Sequence, residues 1–200
     1  MTDDQPADAP TGAAPPTPAA RDLFDRGRRG ARRGRAIGAA GDYLGQTMAD
    51  MLVERLADVR RTFRHALIIG ARNAPLIAAV RATGATVTLV ECSAALAHAT
   101  GAQWADEDAL PVAPQSFDLV LWPGGMEGVN DVPGALLRAR FALVPDGLLL
   151  GCFIGEGSFP VLRRNDRGGC GPAGSAHAPA NRCAGHGRTG YAMWFCPAGY

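Results

Sequence analysis

The most constraining feature of this chain is a pair of apolar stretches that each end in a residue suited to nucleoside binding. Residues 66–70 read Ala-Leu-Ile-Ile-Gly and residues 87–91 read Val-Thr-Leu-Val-Glu. The carboxylate comes about 20 positions after the glycine, the spacing of a dinucleotide-binding βαβ unit. Glycine lets the backbone approach a ligand closely, and the carboxylate can accept hydrogen bonds from both ribose hydroxyls. The pattern therefore predicts a nucleoside-cofactor site formed by Gly70 and Glu91.

A third acidic position follows the next short strand. Asp106 comes after the stretch 102–105, and residues 117–122 then supply a fourth apolar strand. If the strands are parallel, all their carboxyl ends meet at one edge, where Asp106 could hydrogen-bond an adenine amino group. As an alternative, Asp106 is one of three neighbouring acids, with Glu107 and Asp108, on a solvated loop.

Composition indicates one globular domain. The 200 residues are 47% hydrophobic, and a formal net charge of +1 gives no general reason to expect nucleic acid as a partner. The 5 cysteines are too scattered for a disulfide scaffold. No apolar run reaches the ~20 residues of a membrane span, and no signal peptide is indicated, so we expect a cytoplasmic location.

The amino-terminal part divides into a tail and two helices. Residues 1–20 are rich in Ala, Pro and Asp and predict a disordered tail. Residues 21–63 predict two lid helices: a basic one with seven arginines between positions 21 and 35, and an amphipathic one over 42–63. The basic helix is either a solvated lid face or a contact surface for an acidic partner or nucleic acid. The absence of interleaved aromatic residues argues against nucleic acid.

From residue 64 onward strands alternate with helices, which predicts a parallel α/β sheet with right-handed crossovers. Strands are predicted at 66–70, 86–91, 102–105, 117–122 and 147–154, and helices at 74–83, 94–99 and 132–143. Ser93 is placed to cap the second of these helices.

In detail the arrangement resembles class I S-adenosylmethionine (SAM)-dependent methyltransferases. The resemblance rests on the strand that ends in Gly70, the strand that ends in Glu91, and Leu110-Pro111 followed by Ser-Phe-Asp-Leu-Val at 116–120. It implies a Rossmann-like methyltransferase sheet and S-adenosylmethionine as cofactor. The expected cofactor-binding residues are Gly70, Ala71, Arg72, Glu91, Cys92, Asp106, Glu107 and Trp122, the last as a wall of the cleft.

The glycine turn departs from the pattern of that class, which is acidic-x-Gly-x-Gly-x-Gly. Ile68 stands at the acidic position, and Arg72 and Ala74 stand where glycines are usual. The Arg72 side chain either crowds the methionine half of the cofactor or pairs with its carboxylate. The departure predicts weakened cofactor binding.

Further stretches narrow the resemblance to one branch. The stretches are Leu-Phe-Asp-Arg at 23–26, Asp-Tyr-Leu at 42–44, and the segments 54–63, 129–136 and 145–148. They are similar to an alphaproteobacterial and mitochondrial methyltransferase-like family that includes a respiratory complex I assembly factor. This family is a relative of the malonyl-acyl-carrier-protein methyltransferase of biotin synthesis. The resemblance covers residues 21–164 and implies a SAM-binding domain, over 64–164, with an amino-terminal helical lid.

The resemblance implies methyl transfer to an acceptor, for which a protein is one candidate. The mitochondrial member is associated with arginine hydroxylation, so an arginine hydroxylase and a non-catalytic assembly factor for complex I stay open as alternatives. The family has a His-Trp pair where this chain has Glu127-Gly128. No catalytic residue can be named, and Glu127 is interpreted as a solvated loop residue.

Residues 165–200 form a Gly-rich tail of different character. Cys170, His177, Cys183 and His186 could hold zinc, but their spacings match no CxxC pair, so we expect no metal. The chain has no lysine among its 20 basic residues, which indicates G+C-rich coding DNA. A shifted reading frame is therefore a further hypothesis for this tail. We expect the last two strands of the sheet to be missing, which would leave strand five as an unpaired, association-prone edge.

Overall fold

The computed structural model describes residues 22–35, residues 43–155 and the backbone of residues 191–197. The predicted disordered tail at 1–20 lies outside these residues, as do the four residues considered for a zinc module. The helices are α1 (Arg26–Arg35), α2 (Tyr43–Asp58), α3 (Ala74–Ala82), α4 (Ala94–Thr100) and α5 (Val132–Ala142). The strands are β1 (His65–Ile69), β2 (Thr86–Glu91), β3 (Gln103–Trp104), β4 (Phe117–Pro123), β5 (Leu143–Ile154) and β6 (Tyr191–Pro197).

These strands form one sheet in the order β3-β2-β1-β4-β5-β6. Strands β1 to β5 run parallel to their neighbours, and β6 is antiparallel to β5. The predicted Rossmann-like sheet of five parallel strands is therefore confirmed. The central strands are apolar because both faces are covered by helices, as parallel sheets require.

The core has two layers, one on each face of the sheet. Helices α2 and α3 cover one face, where Leu52, Leu76 and Val80 are almost completely buried. Helix α5 covers the other face through the small side chains of Ala135 and Ala139. Helices α1 and α4 lie together beside β2 and β3. This arrangement covers both faces and leaves the carboxyl edge of the sheet for a site.

Side-chain caps fix where the helices after the strands begin. The Asn73 side chain accepts the N–H of Leu76 at 2.9 Å, which starts α3. The predicted cap of α4 is confirmed, since the Ser93 hydroxyl accepts the N–H of Leu96 at 3.5 Å. Both caps satisfy helix N–H groups that have no partner within the helix. They also turn the chain immediately after β1 and β2, next to the carboxyl edge.

The expectation that β5 is an unpaired edge is wrong. Leu148 to Ile154 pair with β6 in a continuous antiparallel register from Leu148↔Pro197 to Ile154↔Tyr191. Residues 191–197 read Tyr-Ala-Met-Trp-Phe-Cys-Pro, a run rich in strand-forming residues that contrasts with the Gly-rich stretch before it. The exposed N–H and C=O groups of an apolar strand are a template for such a segment. One of the strands expected to be missing is therefore supplied by the tail itself.

Removing residues 191–200 should destabilise the fold and promote association. The deletion takes away the β6 ladder, whose hydrogen bonds each contribute about 1 kcal/mol net, and it exposes the β5 edge. We expect the melting temperature to fall by about 5 °C or more, with larger species in gel filtration. Removal of residues 198–200 alone is the control and should change neither measurement. An unchanged melting temperature in the longer deletion would show that the β5–β6 pairing contributes no stability.

Candidate functional site

The sheet brings the three residues of the predicted nucleoside site to one edge. Gly70 follows β1, and its N–H donates to the carbonyl of Val90 at 2.8 Å. Glu91 is the last residue of β2, and its carbonyl accepts the N–H of Ala105 at 3.1 Å, directly before Asp106. Parallel pairing of β1, β2 and β3 therefore places Gly70, Glu91 and Asp106 in neighbouring positions. Gly70 has a φ of +99°, a conformation that favours glycine.

Glu91 is a fully buried carboxylate with fixed donors. Its Oε2 accepts the N–H of Ala71 at 3.0 Å, and its Oε1 accepts the N–H of Ser93 at 3.1 Å. Only 1% of the residue is exposed. A buried charge also needs a partner of opposite sign. That partner is Arg33, whose Nε donates to Oε1 at 2.7 Å and whose Nη2 donates to Oε2 at 2.9 Å.

The Arg33 guanidinium also fills the hollow beside the glycine turn. Its Nη2 lies 3.1 Å from the position that a Cβ on Gly70 would take, and its Nη1 lies 3.0 Å from the corresponding position on Gly125. Gly70 was expected to leave this space open to a ligand, with Arg72 as the side chain that could crowd it. Arg72 is half-buried. The space next to Gly70 is instead taken by a side chain from α1.

Two more arginines of α1 bind the remaining carboxylates of the predicted site. Arg29 forms a bidentate pair with Glu107, at 2.6 and 2.7 Å, and also donates to the carbonyl of Gly125 at 2.8 Å. Arg26 donates to Asp106 at 3.3 Å and to Asp108 at 3.1 Å. Positions 26, 29 and 33 lie on one helix face.

These contacts correct the interpretation of the basic helix. Arg28, Arg32 and Arg35 are exposed, as a solvated lid face requires. Arg26, Arg29 and Arg33, on the opposite side, are only partly exposed and pair with this chain's own acids. The acidic partner of the basic face is the predicted cofactor site.

Glycines on α1 allow the helix to lie close to the chain that follows β2. A Cβ on Gly30 would come 2.9 Å from the carbonyl oxygen of Cys92, and one on Gly34 would come 2.9 Å from the Ser93 hydroxyl. Gly30 is the only residue of α1 that is buried. Arginines of α1 therefore contact carboxylates, and Gly30 and Gly34 let the helix lie against the segment that follows β2.

The pKa values of Glu91, Asp106 and the Cys92 thiol are shifted from their ordinary values. Burial alone would raise the pKa of Glu91, but Arg33 and the N–H groups of Ser93 and Ala71 hold it below its ordinary value. Burial raises the pKa of Asp106, an effect that the charge of Arg26 opposes. Burial and the charge of Glu107 raise the pKa of the Cys92 thiol to about 12. Cys92 is therefore a neutral wall residue and a poor nucleophile.

A cavity of about 520 Å³ remains between α1 and α4. Its lining includes three glycines of α1 and four residues that follow or end strands: Gly27, Gly30, Gly34, Cys92, Ser93, Trp104 and Asp106. Its volume lies in the range of small-molecule sites. Trp104, which the sequence analysis missed, donates its indole N–H to the carbonyl of Cys92 at 3.2 Å. Its position two residues before Asp106, at the carboxyl end of a predicted strand, is the sequence feature that could have identified it as a site residue.

Trp122 does not form a wall of the cleft. The residue is completely buried and belongs to the apolar cluster between the sheet and α5. The physical reason is the alternation of β4, which turns this side chain to the face that α5 covers. Its indole N–H has no hydrogen-bond partner among the described residues. Glu127, by contrast, is an exposed loop residue that accepts the N–H of Gly125 at 3.2 Å, as interpreted from the sequence.

No group of three or more His, Cys, Asp or Glu side chains within residues 22–35 and 43–155 is arranged to hold a metal ion. Among the helices that the structure describes, none is both long and apolar enough to cross a membrane.

Comparison with known sequences finds relatives over part of the chain. No protein-family model matches it. It is 32% identical over 130 residues to the mitochondrial arginine-hydroxylase NDUFAF5 of Danio rerio, which covers 61% of this chain and 40% of that protein. It is 35% identical over 60 residues to a putative methyltransferase of Rickettsia prowazekii, covering 30% of this chain and 26% of that protein. The chain thus spans less than half the length of these relatives.

Comparison with solved structures supports the fold assignment. The N-methyltransferase NodS of Bradyrhizobium japonicum, solved in complex with S-adenosylhomocysteine, matches with a TM-score of 0.53 and 15% identity. The match covers 69% of this chain and 78% of that one. The chain is therefore similar in sequence to the arginine-hydroxylase NDUFAF5 and has the Rossmann-like fold of the SAM-dependent methyltransferases.

Proposed function

We propose that this chain binds S-adenosylmethionine at the carboxyl edge of its sheet and transfers the methyl group to an acceptor. The observation that carries the proposal is the buried Glu91 carboxylate beside the glycine turn. A backbone N–H group donates to each of its two oxygens. The Arg33 guanidinium, which has two donors, also binds both oxygens in this structure. The two hydroxyls of a ribose are a partner of the same kind.

The residues around Glu91 suit the rest of the cofactor. Asp106 lies two residues beyond the end of β3, where its carboxylate can accept from an adenine amino group. Cys92 supplies a neutral wall for the adenine, and Gly70 leaves room for the backbone to approach the ribose. Arg72 is proposed to pair with the methionine carboxylate. The donors and acceptors present therefore fit the cofactor, provided that the Arg33 guanidinium vacates the hollow it fills.

Methyl transfer makes few demands for acid or base chemistry. When bound, the cofactor supplies an electrophilic methyl group on a sulfonium. The task of the protein is then to hold the acceptor atom in line and to keep water away. Glu127 is exposed and is already accepting from Gly125, so we assign it no catalytic role.

A second candidate is an arginine hydroxylase, the activity that the name of the Danio rerio relative states for that protein. One observation favours it: Glu107 and the carbonyl of Gly125 together hold the guanidinium of Arg29. The cleft can therefore recognise an arginine side chain by a bidentate pair. In this case the acceptor would be an arginine of a partner protein.

Variants of the two acids should weaken cofactor binding. We expect Asp106→Asn and Glu91→Gln each to lower the affinity for S-adenosylhomocysteine about tenfold or more, because each removes a charged acceptor. Isothermal titration calorimetry measures the effect, and thermal unfolding verifies that each variant is folded. Glu127→Gln, an exposed acid outside the site, is the control. Equal affinity in all four proteins would refute the assigned contacts.

The reaction type can be read from the mass of the product. The protein is incubated with S-adenosylmethionine and an arginine-containing peptide in air-saturated buffer that also contains a two-electron reductant, and the peptide is analysed by mass spectrometry. Methyl transfer adds one CH₂ unit, whereas hydroxylation adds one oxygen atom. We expect the first. An oxygen gain would support the arginine-modifying candidate instead, and ligand binding with no mass change would support a non-catalytic assembly role.

A further inference from the structure

We propose that helix α1 is an internal competitor of the cofactor, which must displace Arg33 from Glu91 in order to bind. The inference rests on the proposed function, because it assumes that Glu91 is the ribose acceptor. It adds a regulatory element to that site: the affinity for the cofactor depends on how firmly α1 is docked.

The hydrogen-bonding capacity of Glu91 makes the two partners mutually exclusive. Oε1 already accepts from the backbone of Ser93, from Arg33 Nε and from the Cys92 thiol at 3.6 Å, and Oε2 accepts from the backbone of Ala71 and from Arg33 Nη2. Each carboxylate oxygen has two lone pairs, so both oxygens are saturated. A ribose can therefore hydrogen-bond to Glu91 only after Arg33 has left.

Space leads to the same conclusion. Glycines leave the room that the arginines occupy: Arg33 lies against Gly70 and Gly125, and the Arg29 Nε is 2.8 Å from where a Cβ on Gly128 would lie. The docked arginines thus take the volume beside the glycine turn that a bound nucleoside needs.

The competition extends over the whole predicted site. Arg33 pairs with Glu91, Arg29 with Glu107, and Arg26 with Asp106. Each of these acids belongs to the expected cofactor-binding set. The amino-terminal end of the helix is held by a further pair of hydrogen bonds between the Phe24 backbone and the Asn130 side chain, at 2.8 and 3.0 Å.

The composition of α1 allows it to be displaced without unfolding the core. The helix reads RGRRGARRGR, with no apolar side chain larger than alanine. It is held by ion pairs and hydrogen bonds instead of by hydrophobic burial, and none of its residues belongs to either core cluster. Removing two charges from water offsets much of the attraction in such pairs. A ligand that supplies its own donors to Glu91 can therefore replace them.

The first test compares the affinity for S-adenosylhomocysteine of the wild-type chain, Arg33→Gln and Arg33→Ala by isothermal titration calorimetry. We expect both variants to bind more tightly, about tenfold or more, because the binding-competent state is no longer in competition with the docked arginine. Arg32→Gln, an exposed neighbour on the same helix, is the matched control and should bind like the wild type. Thermal unfolding shows whether each variant retains the core.

The outcomes separate this inference from the proposed function. Equal affinity of the wild type and the Arg33 variants would overturn the competition and leave the cofactor site standing. Weaker binding by folded Arg33 variants would also overturn it, because Arg33 would then support the cofactor. No binding by any of the proteins would refute the proposed function and this inference together.

A second measurement uses the wild-type chain alone. Hydrogen exchange of the amides in 26–35 is followed with and without saturating S-adenosylhomocysteine. Displacement predicts faster exchange in α1 when the ligand is present, with unchanged exchange in α5 as the internal control. Slower exchange in α1 on ligand binding would show a helix that closes over the cofactor, which contradicts the proposal.

Discussion

The structure depends on how the negative charge of Glu91 is accommodated. The carboxylate lies where β2 ends, almost out of contact with water, and an unpaired charge in that position would be strongly destabilising. Two backbone N–H groups and the Arg33 guanidinium meet this requirement. The same need draws α1 onto the carboxyl edge, where Arg29 and Arg26 find further acids. The position of the amino-terminal helix is thus a consequence of carboxylates at the carboxyl edge of the sheet.

The ion pairs between α1 and these acids give the basic helix a structural role that its composition alone does not indicate. A run of arginines is usually a solvated face or a contact for nucleic acid, yet three of the arginines here neutralise acids of the same domain. The acids of the proposed nucleoside site and the helix that covers them are therefore joined by ion pairs. Under the proposed competition, a ligand that binds at Glu91 displaces Arg33, which connects cofactor binding to the docking of the helix.

Much of the sheet could be predicted because its signals are local. Apolar runs at 66–70, 87–91 and 117–122 can be buried only as central strands, and Ser93 is a helix cap whatever surrounds it. The edge strand β6 was missed because an edge strand is stabilised by the strand it pairs with. That strand, β5, is separated from β6 in the sequence by a long Gly-rich stretch. Trp122 was misplaced because the face of a strand is set by register, which one residue does not reveal.

The sequence by itself determined the alternation of strands and helices and the positions of Gly70, Glu91 and Asp106 at strand ends, because these follow from hydrophobic period and chain connectivity. Only the tertiary structure decided which groups these residues meet. Arg33 is far from Glu91 along the chain, and nothing in the spacing of either one names the other. Their pairing arises because folding removes a carboxylate from water, and the nearest available cation in three dimensions then becomes its partner.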